Sequence, residues 1–230
     1  MPSGTITALE VQKRNKQRVN VYLDEEYAFA LPLDEAAKLR KGQTLTEQDV
    51  EALQAQDDFQ RAVDRAAGFL SYRPRSAHEV RQNLAQKGVD DAVIEQAMAR
   101  LETLGYLDDR AFADFWVRER NAFKPLSPRA LRYELRQKGV PDAIIDEALA
   151  DLVPDDAAYK AAESQVRRLR GSTPRTFRDK LLPFLQRRGF TYGVAKVAIQ
   201  RLIETLEAQG DYFADGEEAA HDLILPDGDD

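Results

Sequence analysis

The sequence predicts a mainly α-helical protein, in which three tandem three-helix, helix-turn-helix-like repeats form an elongated array after a small antiparallel β meander. Three observations predict this fold. A helical apolar pattern recurs along the chain, and each copy begins and ends on the same types of residue. The N-terminal stretch has a different pattern, in which apolar and polar positions alternate.

The N-terminal stretch is predicted to form three short strands. Apolar residues alternate with polar ones over positions 6–11, 18–23 and 27–31, which is the period of a half-buried strand. Polar residues suited to turns separate the three segments. Because these connections are short, neighbouring strands are expected to pair in antiparallel order.

Two short helices are predicted after the strands. Pro32-Leu33-Asp34 has the residues of a helix start, and Lys41-Gly42 has those of a turn. Thr46, with an acidic residue three positions later, is predicted to open a second helix that runs toward Ala55. Together with the strands, these helices are expected to form an N-terminal extension over residues 1–56.

The remaining chain repeats a unit with a period of 51 residues. Ser76 aligns with Ser127 and Leu84 with Leu135, and a weaker third copy surrounds Arg188-Gly189-Phe190. That copy starts four residues early, which predicts a longer middle helix. The three repeats are expected over residues 57–106, 107–153 and 154–209.

Each middle helix has the same start and stop signals. The start signal is a hydroxyl side chain that can cap the first turn, supplied by Ser76, Ser127 and Thr173. The stop signal is a glycine that can adopt the left-handed conformation, supplied by Gly88, Gly139 and Gly189. Three helices of the same kind are therefore predicted.

Acidic residues mark the start of the first helix in each repeat. These starts are predicted at Asp57-Asp58, Asp108-Asp109 and Pro154-Asp155. A carboxylate pair could also serve acid-base chemistry or a metal, but at a helix start capping is the favoured interpretation. Trp116 lies at helical spacing from two phenylalanines, which favours a core position over a platform for stacking bases.

The composition excludes several kinds of site. The chain has no cysteine and two histidines among 230 residues, which excludes disulfides, thiol catalysis and cysteine metal sites. No apolar run approaches the roughly 20 residues that span a bilayer, and no signal segment is present, so a cytoplasmic protein without a membrane partner is expected. With no acid-base pair outside helix caps, the chain is expected to be no enzyme and to need no cofactor.

The net charge of -7 is unevenly distributed. Residues 61–210 contain 26 Lys or Arg against 21 Asp or Glu, whereas residues 211–230 contain eight acidic residues and no basic one. A basic middle region indicates a polyanion or an acidic protein groove as partner. The alternative is a solvated helix face, on which arginine stems cover apolar surface. The residues predicted to form partner-binding or DNA-binding basic faces are Arg73, Arg75, Arg81, Lys87, Lys124, Arg129, Arg132, Arg136, Lys138, Arg175, Arg178, Arg187, Arg188, Lys196 and Arg201.

A helix-turn-helix interpretation would place the third helix of a repeat in the major groove of DNA. The third helices of repeats 1 and 2 begin with acidic residues, Asp90-Asp91 and Asp142, which would repel phosphates. The corresponding helix of repeat 3 has Tyr192 and Lys196 instead. Residues 172–201 are therefore the segment favoured for proximity to nucleic acid.

Several segments resemble, in the same order, the signature segments of the bacterial RecX family. These segments are Tyr72-Arg73-Pro74-Arg75-Ser76, Gln86-Lys87-Gly88-Val89, Gly105-Tyr106-Leu107-Asp108-Asp109 with Phe112-Ala113, and Glu134-Leu135-Arg136-Gln137-Lys138-Gly139-Val140. The resemblance covers about residues 60–206. The strands near Ile6-Thr7 and Asn20-Val21-Tyr22-Leu23 resemble the β extension of the longer members.

The resemblance implies a non-enzymatic regulator of the RecA recombinase, active in DNA repair, homologous recombination and the SOS response. Such a protein lies along the groove of the RecA–DNA filament as an inhibitor and restrains ATP hydrolysis, strand exchange and co-protease activity. The implied partners are the RecA filament and DNA, and a monomer is expected. No catalytic residue is carried over, and the binding positions are carried over as the basic faces of repeats 1 and 2.

An alternative function is an autonomous, sequence-nonspecific DNA-binding protein that uses a basic strip on its helical repeats. Salt dependence distinguishes the two, because binding to phosphates falls linearly in log-log form by about 0.9 per contact on duplex DNA. Residues 210–230 are predicted to form an acidic, disordered tail. A second hypothesis for this tail is that it folds back onto basic residues as a mimic of polyanion.

Overall fold

The computed structural model describes residues 3–214, and the chain divides into two compact units between Asp108 and Asp109. The first unit contains an antiparallel sheet and the first three-helix repeat. The second unit contains repeats 2 and 3. The predicted fold class, mainly helical with an N-terminal antiparallel sheet, is confirmed.

The sheet contains four strands in the order β3-β2-β1-β4. Their bounds are β1 Gly4–Val11, β2 Arg18–Leu23, β3 Glu26–Pro32 and β4 Thr44–Leu45. The three predicted strands form the meander, and the alternation buries Ile6, Val21 and Leu31 on one face. The two-residue strand β4 was not predicted from the sequence, because its pairing with the start of β1 is long-range.

Two helices, α1 Leu33–Ala36 and α2 Glu47–Leu70, follow the sheet. Thr46 caps α2 as predicted, with its Oγ1 accepting from the Asp49 amide at 3.2 Å. The predicted new helix start at Asp57-Asp58 is wrong, because α2 continues through it. No glycine or proline interrupts α2 there, and the Asp57 carboxylate accepts from Arg18 of β2 at 2.7 and 2.8 Å. That buried ion pair attaches the sheet to the first helix of repeat 1.

Each repeat contains a first, a middle and a third helix, and in repeat 3 a separate 3₁₀ helix follows the first one. Repeat 1 uses the C-terminal half of α2, then α3 Ala77–Gln86 and α4 Asp91–Thr103. Repeat 2 consists of α5 Asp109–Phe123, α6 Pro128–Gln137 and α7 Asp142–Leu149. Repeat 3 consists of α8 Pro154–Glu163, the 3₁₀ helix Val166–Leu169, α9 Pro174–Arg187 and α10 Tyr192–Gln209. The middle helix α9 is four residues longer than α3 and α6, which confirms the prediction.

The predicted start signals cap the three middle helices. Ser76 accepts from the Glu79 amide at 3.2 Å, Ser127 from the Ala130 amide at 3.1 Å, and Thr173 from the Thr176 amide at 3.2 Å. The glycine after each helix has a positive φ, as its stop signal requires. The same apolar positions of each repeat, such as Leu84, Leu135 and Leu185, are fully buried.

Repeats 2 and 3 are joined where the start of α6 meets the end of α9. The amide of Ser127 donates to the carbonyl oxygen of Arg188 at 3.1 Å. Arg188 in turn donates from Nη1 to the carbonyl oxygen of Pro125 at 3.0 Å. These two bonds run in opposite directions, so the loop before α6 and the loop after α9 fix each other.

The packed part of repeat 3 extends beyond the boundary predicted at residue 210. Tyr212 is buried, its ring lies edge-on to Phe177, and its hydroxyl donates to the carbonyl oxygen of Val166 at 2.6 Å. Phe213 also lies edge-on to Phe177. Residues 215–230, on which the expectation of disorder and the fold-back hypothesis fall, lie outside the described residues.

Candidate partner-binding surface

The basic residues predicted to bind a partner fall into three groups by what their side chains contact. One group forms ion pairs with acidic residues of the same repeat. A second group packs on aromatic rings or binds backbone carbonyl groups. The third group is exposed and has no acidic partner within the described residues.

Two ion pairs of the first group occupy the same place in repeats 1 and 2. Arg81 on α3 pairs with Glu95 on α4, and Arg132 on α6 pairs with Asp146 on α7. Arg132 and Asp146 lie 51 positions after Arg81 and Glu95, so each pair links the middle and third helices of its repeat in the same way. Glu95 and Asp146, one carboxylate on the third helix of each repeat, are thus neutralised by basic residues that the sequence assigned to partner binding.

Two further pairs lie at the protein surface. Arg136 donates from Nε to Asp142 Oδ1 at 2.6 Å, and Arg201 donates from Nη1 to Asp156 Oδ1 at 3.0 Å. The hydrogen bond from Arg136 lowers the pKa of Asp142, and the same bond raises the pKa of Arg136. All four side chains are more than half exposed, so water competes for these bonds and a partner can displace them at low cost.

Arg73 and Arg75 hold the loop between α2 and α3. Arg73 donates from Nη2 to Glu79 Oε1 at 2.9 Å, and the guanidinium carbon of Arg75 lies 4.1 Å from the centre of the Phe69 ring. Burial lowers the pKa of Arg75, and the nearby charge of Arg73 lowers it further. Arg75 is therefore largely occupied by contacts inside repeat 1.

Lys138 belongs to a cluster around the single tryptophan. The Lys138 ammonium and the Arg120 guanidinium each lie 4.4 Å from the centre of the Trp116 ring. Trp116 Nε1 and Arg120 Nε both donate to Glu134 Oε2 at 2.8 Å. The ring is partly buried against the core of repeat 2 and is contacted by two cations, so it fits the predicted core position better than an open stacking platform.

Arg188 forms part of the joint between repeats 2 and 3. Besides its bond to Pro125, its guanidinium carbon lies 4.5 Å from the centre of the Phe184 ring. Desolvation lowers the pKa of Arg188. This side chain therefore stabilises the joint and presents little of its charge to solvent.

The third group comprises exposed cations without an ion pair to any residue in the range 3–214. These residues are Lys87, Lys124, Arg129, Arg175, Arg178, Arg187 and Lys196. Arg178 makes one weak bond, from Nη2 to Gln200 Oε1 at 3.4 Å. Four of these residues lie in repeat 3, which has Leu182 and Lys196 at the positions of Arg81 and Glu95. Because the neutralising carboxylate is replaced by a cation, repeat 3 retains more of its positive charge.

Two exposed aromatic residues were not predicted as binding residues from the sequence. Tyr72 and Phe123 are 85% and 81% exposed, and they lie 51 positions apart, directly before Arg73 and Lys124. Each occupies the same position in its repeat, just ahead of the middle helix. The repeat alignment could have identified them, because apolar residues at matched positions outside the core pattern indicate a shared contact.

A cleft in repeat 3 also escaped the sequence analysis. It has a volume of about 430 Å³ between the 3₁₀ helix and α9, and its lining includes Arg168, Lys180 and Arg187. Of these three cations, only Arg187 was predicted as a binding residue. Arg168 lies in a 3₁₀ helix, and its place opposite Lys180 and Arg187 depends on how that helix packs against α9, which a local pattern does not show.

The described residues offer no group of His, Asp and Glu side chains arranged to hold a metal ion. No helix in the range 3–214 is long and apolar enough to cross a membrane. The surface presents exposed cations, and the exposed aromatic residues Tyr72 and Phe123 directly precede two basic residues, Arg73 and Lys124. This is the chemistry of a contact surface for an anionic or mixed partner.

Four family models match successive parts of the chain. The Regulatory protein RecX N-terminal domain matches residues 4–46, and the first, second and third three-helix domains of RecX match residues 62–101, 108–149 and 154–199. These ranges cover the sheet and each of the three repeats in tandem.

Similar curated proteins carry the same description. Regulatory protein RecX of Bacillus licheniformis is 36% identical over 220 residues, which cover 90% of this chain and 84% of that protein. Regulatory protein RecX of Bacillus subtilis is 33% identical over 202 residues, with coverage of 86% and 76%. The protein of the same description from Listeria innocua is 30% identical over 198 residues, with coverage of 84% and 74%.

Two solved structures share the fold. A crystal structure of regulatory protein RecX matches with a TM-score of 0.63 and 28% identity, over 86% of this chain and all of that chain. The crystal structure of RecX from Lactobacillus salivarius matches with a TM-score of 0.55 and 24% identity, over 64% of this chain and 98% of that chain. The second match supports the fold alone.

Proposed function

This chain belongs to the RecX family of regulatory proteins, and from that premise we propose that it regulates the RecA recombinase by binding along the RecA–DNA filament. Membership in the family is the single observation that carries this proposal. The matches to the N-terminal domain and to each of the three helical domains support it.

The proposed effect is inhibition of RecA by binding alone, without a reaction catalysed by this chain. Bound along the filament, the chain would restrain ATP hydrolysis, strand exchange and co-protease activity by occupying a surface that RecA and DNA need. A set of weak contacts in successive repeats fits a polymeric partner, because linked contacts add their free energies without a second loss of translational freedom. The site of action would be the cytoplasm, and the binding species a monomer.

The exposed cations and the two exposed aromatic residues are the proposed contacts. Lys124 and Arg129 are free to bind acidic groups, whereas Arg132 and Arg136 would first have to leave Asp146 and Asp142. Phe123 lies beside Lys124, and an aromatic anchor next to a cation is a frequent centre of binding energy in protein interfaces. The predicted basic faces therefore remain the proposed surface, with the unpaired cations as its principal contacts.

A second candidate is autonomous binding to DNA without RecA. The observation that favours it is the charge of repeat 3, where cations such as Arg175 and Lys196 have no acidic partner among the described residues. Phosphates attract such cations regardless of base sequence. In this function the third repeat would do most of the binding.

Co-sedimentation over a range of salt concentrations distinguishes the two functions. The chain would be mixed either with RecA filaments on single-stranded DNA in a non-hydrolysable nucleotide or with the same DNA alone. Regulation of RecA predicts saturable binding to the filament at moderate salt, where binding to bare DNA is lost. Equal binding to both, with the same steep salt dependence, would favour the second candidate and contradict the first.

A further inference from the structure

The cleft of repeat 3 contains three cations that form no ion pair with a described residue. Arg168 lies on the 3₁₀ helix, and Lys180 and Arg187 lie on α9. All three are exposed, and none has an ion pair with a residue in the range 3–214. Asp179 also lines the cleft, which leaves an excess of two positive charges.

Some arginines of repeats 2 and 3 do have acidic partners. Arg201, in the same repeat, pairs with Asp156, and Arg132 in repeat 2 pairs with Asp146. Cations that line one concave surface repel each other, and they raise the local concentration of anions. An acidic occupant would therefore be stabilised in this cleft more than on a convex surface.

The last described residues pack on the loop that joins the 3₁₀ helix to α9. Tyr212 accepts at its carbonyl oxygen from the amide of Gly171 at 3.0 Å, and its hydroxyl is bound to Val166. The amide of Ala214 donates to the carbonyl oxygen of Ser172 at 3.3 Å. Gly171 and Ser172 belong to the loop that joins the 3₁₀ helix to α9, which are the two walls of the cleft. Residues 212–214 are thus held against the loop that connects these two elements.

The sequence that follows is strongly acidic. Residues 215–230 contain seven Asp or Glu and no Lys or Arg. Sixteen extended residues span up to about 50 Å, so this segment is long enough to run through the cleft from Ala214. A segment tethered this closely has an effective concentration in the millimolar range, at which weak ionic binding becomes significant.

We propose that residues 215–230 bind in the cleft lined by Arg168, Lys180 and Arg187, as an internal polyanion that competes with external acidic partners for repeat 3. By occupying the cleft, this segment would weaken the binding of external polyanions of any kind to repeat 3. It requires nothing of RecA, so it goes beyond the proposed function and can succeed or fail independently of it.

The test uses the full-length chain and a fluorescently labelled peptide with the sequence of residues 215–230. In one variant, each of the seven acidic residues of that segment is changed to Asn or Gln. Because the segment then carries no negative charge, it should no longer occupy the cleft. We expect this variant to bind the peptide in a salt-sensitive manner, about tenfold more tightly than the unmodified chain does. Equal affinity of the two chains, or no binding to the variant at low salt, would overturn the proposal.

A second pair of variants locates the peptide. Both retain the amide-substituted segment, and one also carries Arg168→Glu, Lys180→Glu and Arg187→Glu, while the control carries Lys13→Glu, Arg14→Glu and Lys16→Glu in the exposed turn between β1 and β2. The change in net charge is the same in both. Loss of peptide binding in the cleft variant alone would support the proposal, whereas equal loss in both, or binding by both, would overturn it. Circular dichroism establishes that each variant is folded.

Discussion

Gly189 lies so close to Ser127 that a Cβ atom on the glycine would be 2.5 Å from the serine Oγ and 3.0 Å from the Cβ of Ala130. Ser127 is buried and caps α6, so it has no room to move away without losing that cap. The glycine that ends the middle helix of repeat 3 is thus also the surface on which the middle helix of repeat 2 begins. One residue type satisfies both a backbone requirement and a packing requirement.

This contact predicts that Gly189→Ala destabilises the second unit more than backbone strain alone would. The cost of a positive φ in a residue with a Cβ is about 1–2 kcal/mol, and the clash with Ser127 adds about 1–3 kcal/mol. Gly88→Ala is a matched control, because Gly88 also has a positive φ but nothing within 4 Å of the added Cβ. Urea denaturation measures both, and equal losses of stability would refute the packing role of Gly189.

The ion pair between Arg18 and Asp57 predicts that Asp57→Asn loosens the attachment of the sheet to α2. Asp57 is only 7% exposed, and its hydrogen bond raises the pKa of Arg18. Removal of the charge should lower the free energy of unfolding by about 1.5–3 kcal/mol, as for other hydrogen bonds to charged groups. The neighbouring Asp58 is exposed, so Asp58→Asn should change the stability little in the same thermal denaturation experiment. Similar effects of both substitutions would show that the pair contributes nothing.

Asp57 shows what local sequence patterns can and cannot predict. The repeats and their caps follow from local patterns, since Ser76, Ser127 and Thr173 each act within one turn of a helix. Asp57 was assigned to a helix start because an acidic residue is common there, whereas its actual role depends on Arg18, which lies 39 positions earlier. Strand β4 was missed for the same reason.

The predicted binding surface likewise combines features that follow from local sequence patterns with contacts that depend on long-range packing. The positions of Arg81 and Arg132 on the polar side of a middle helix were predictable from the spacing of apolar residues. Their pairing with Glu95 and Asp146 was not predicted, because it depends on how the third helix packs against the middle one. Similarly, nothing local indicates that Arg188 is held by Pro125 of another repeat.

The division between paired and unpaired cations predicts different effects of charge changes on binding to the filament. Lys124→Glu with Arg129→Glu should weaken binding about tenfold or more, because both charges are available to a partner. Exchange of the charges of a pair, Arg132→Glu with Asp146→Arg, keeps the ion pair and the net charge and should change the affinity less than about twofold. Fluorescence anisotropy with labelled filaments measures both. The assignment fails if the exchanged pair abolishes binding while the reversal at Lys124 and Arg129 is tolerated.

The exposure of Phe123 predicts that its side chain serves binding and not folding. Phe123→Ala should leave the unfolding free energy unchanged within about 0.5 kcal/mol, and it should weaken filament binding by about 1–2 kcal/mol, as an aromatic anchor does. Phe112→Ala removes a ring that is 3% exposed in the same helix, and should cost about 3–5 kcal/mol of stability. A Phe123→Ala chain with full affinity for the filament would remove this residue from the binding surface.

Hydrolysis of ATP by RecA on single-stranded DNA tests the central proposal most directly. RecA would be held at saturating nucleotide and DNA, and the chain would be added at substoichiometric ratios, with a chain carrying Lys124→Glu and Arg129→Glu as the folded control. Regulation along the filament predicts that the unmodified chain lowers the rate at ratios well below one per RecA, and that the control variant does so only at higher concentration. An unchanged rate at one chain per RecA, with a folded chain present, would contradict the proposal.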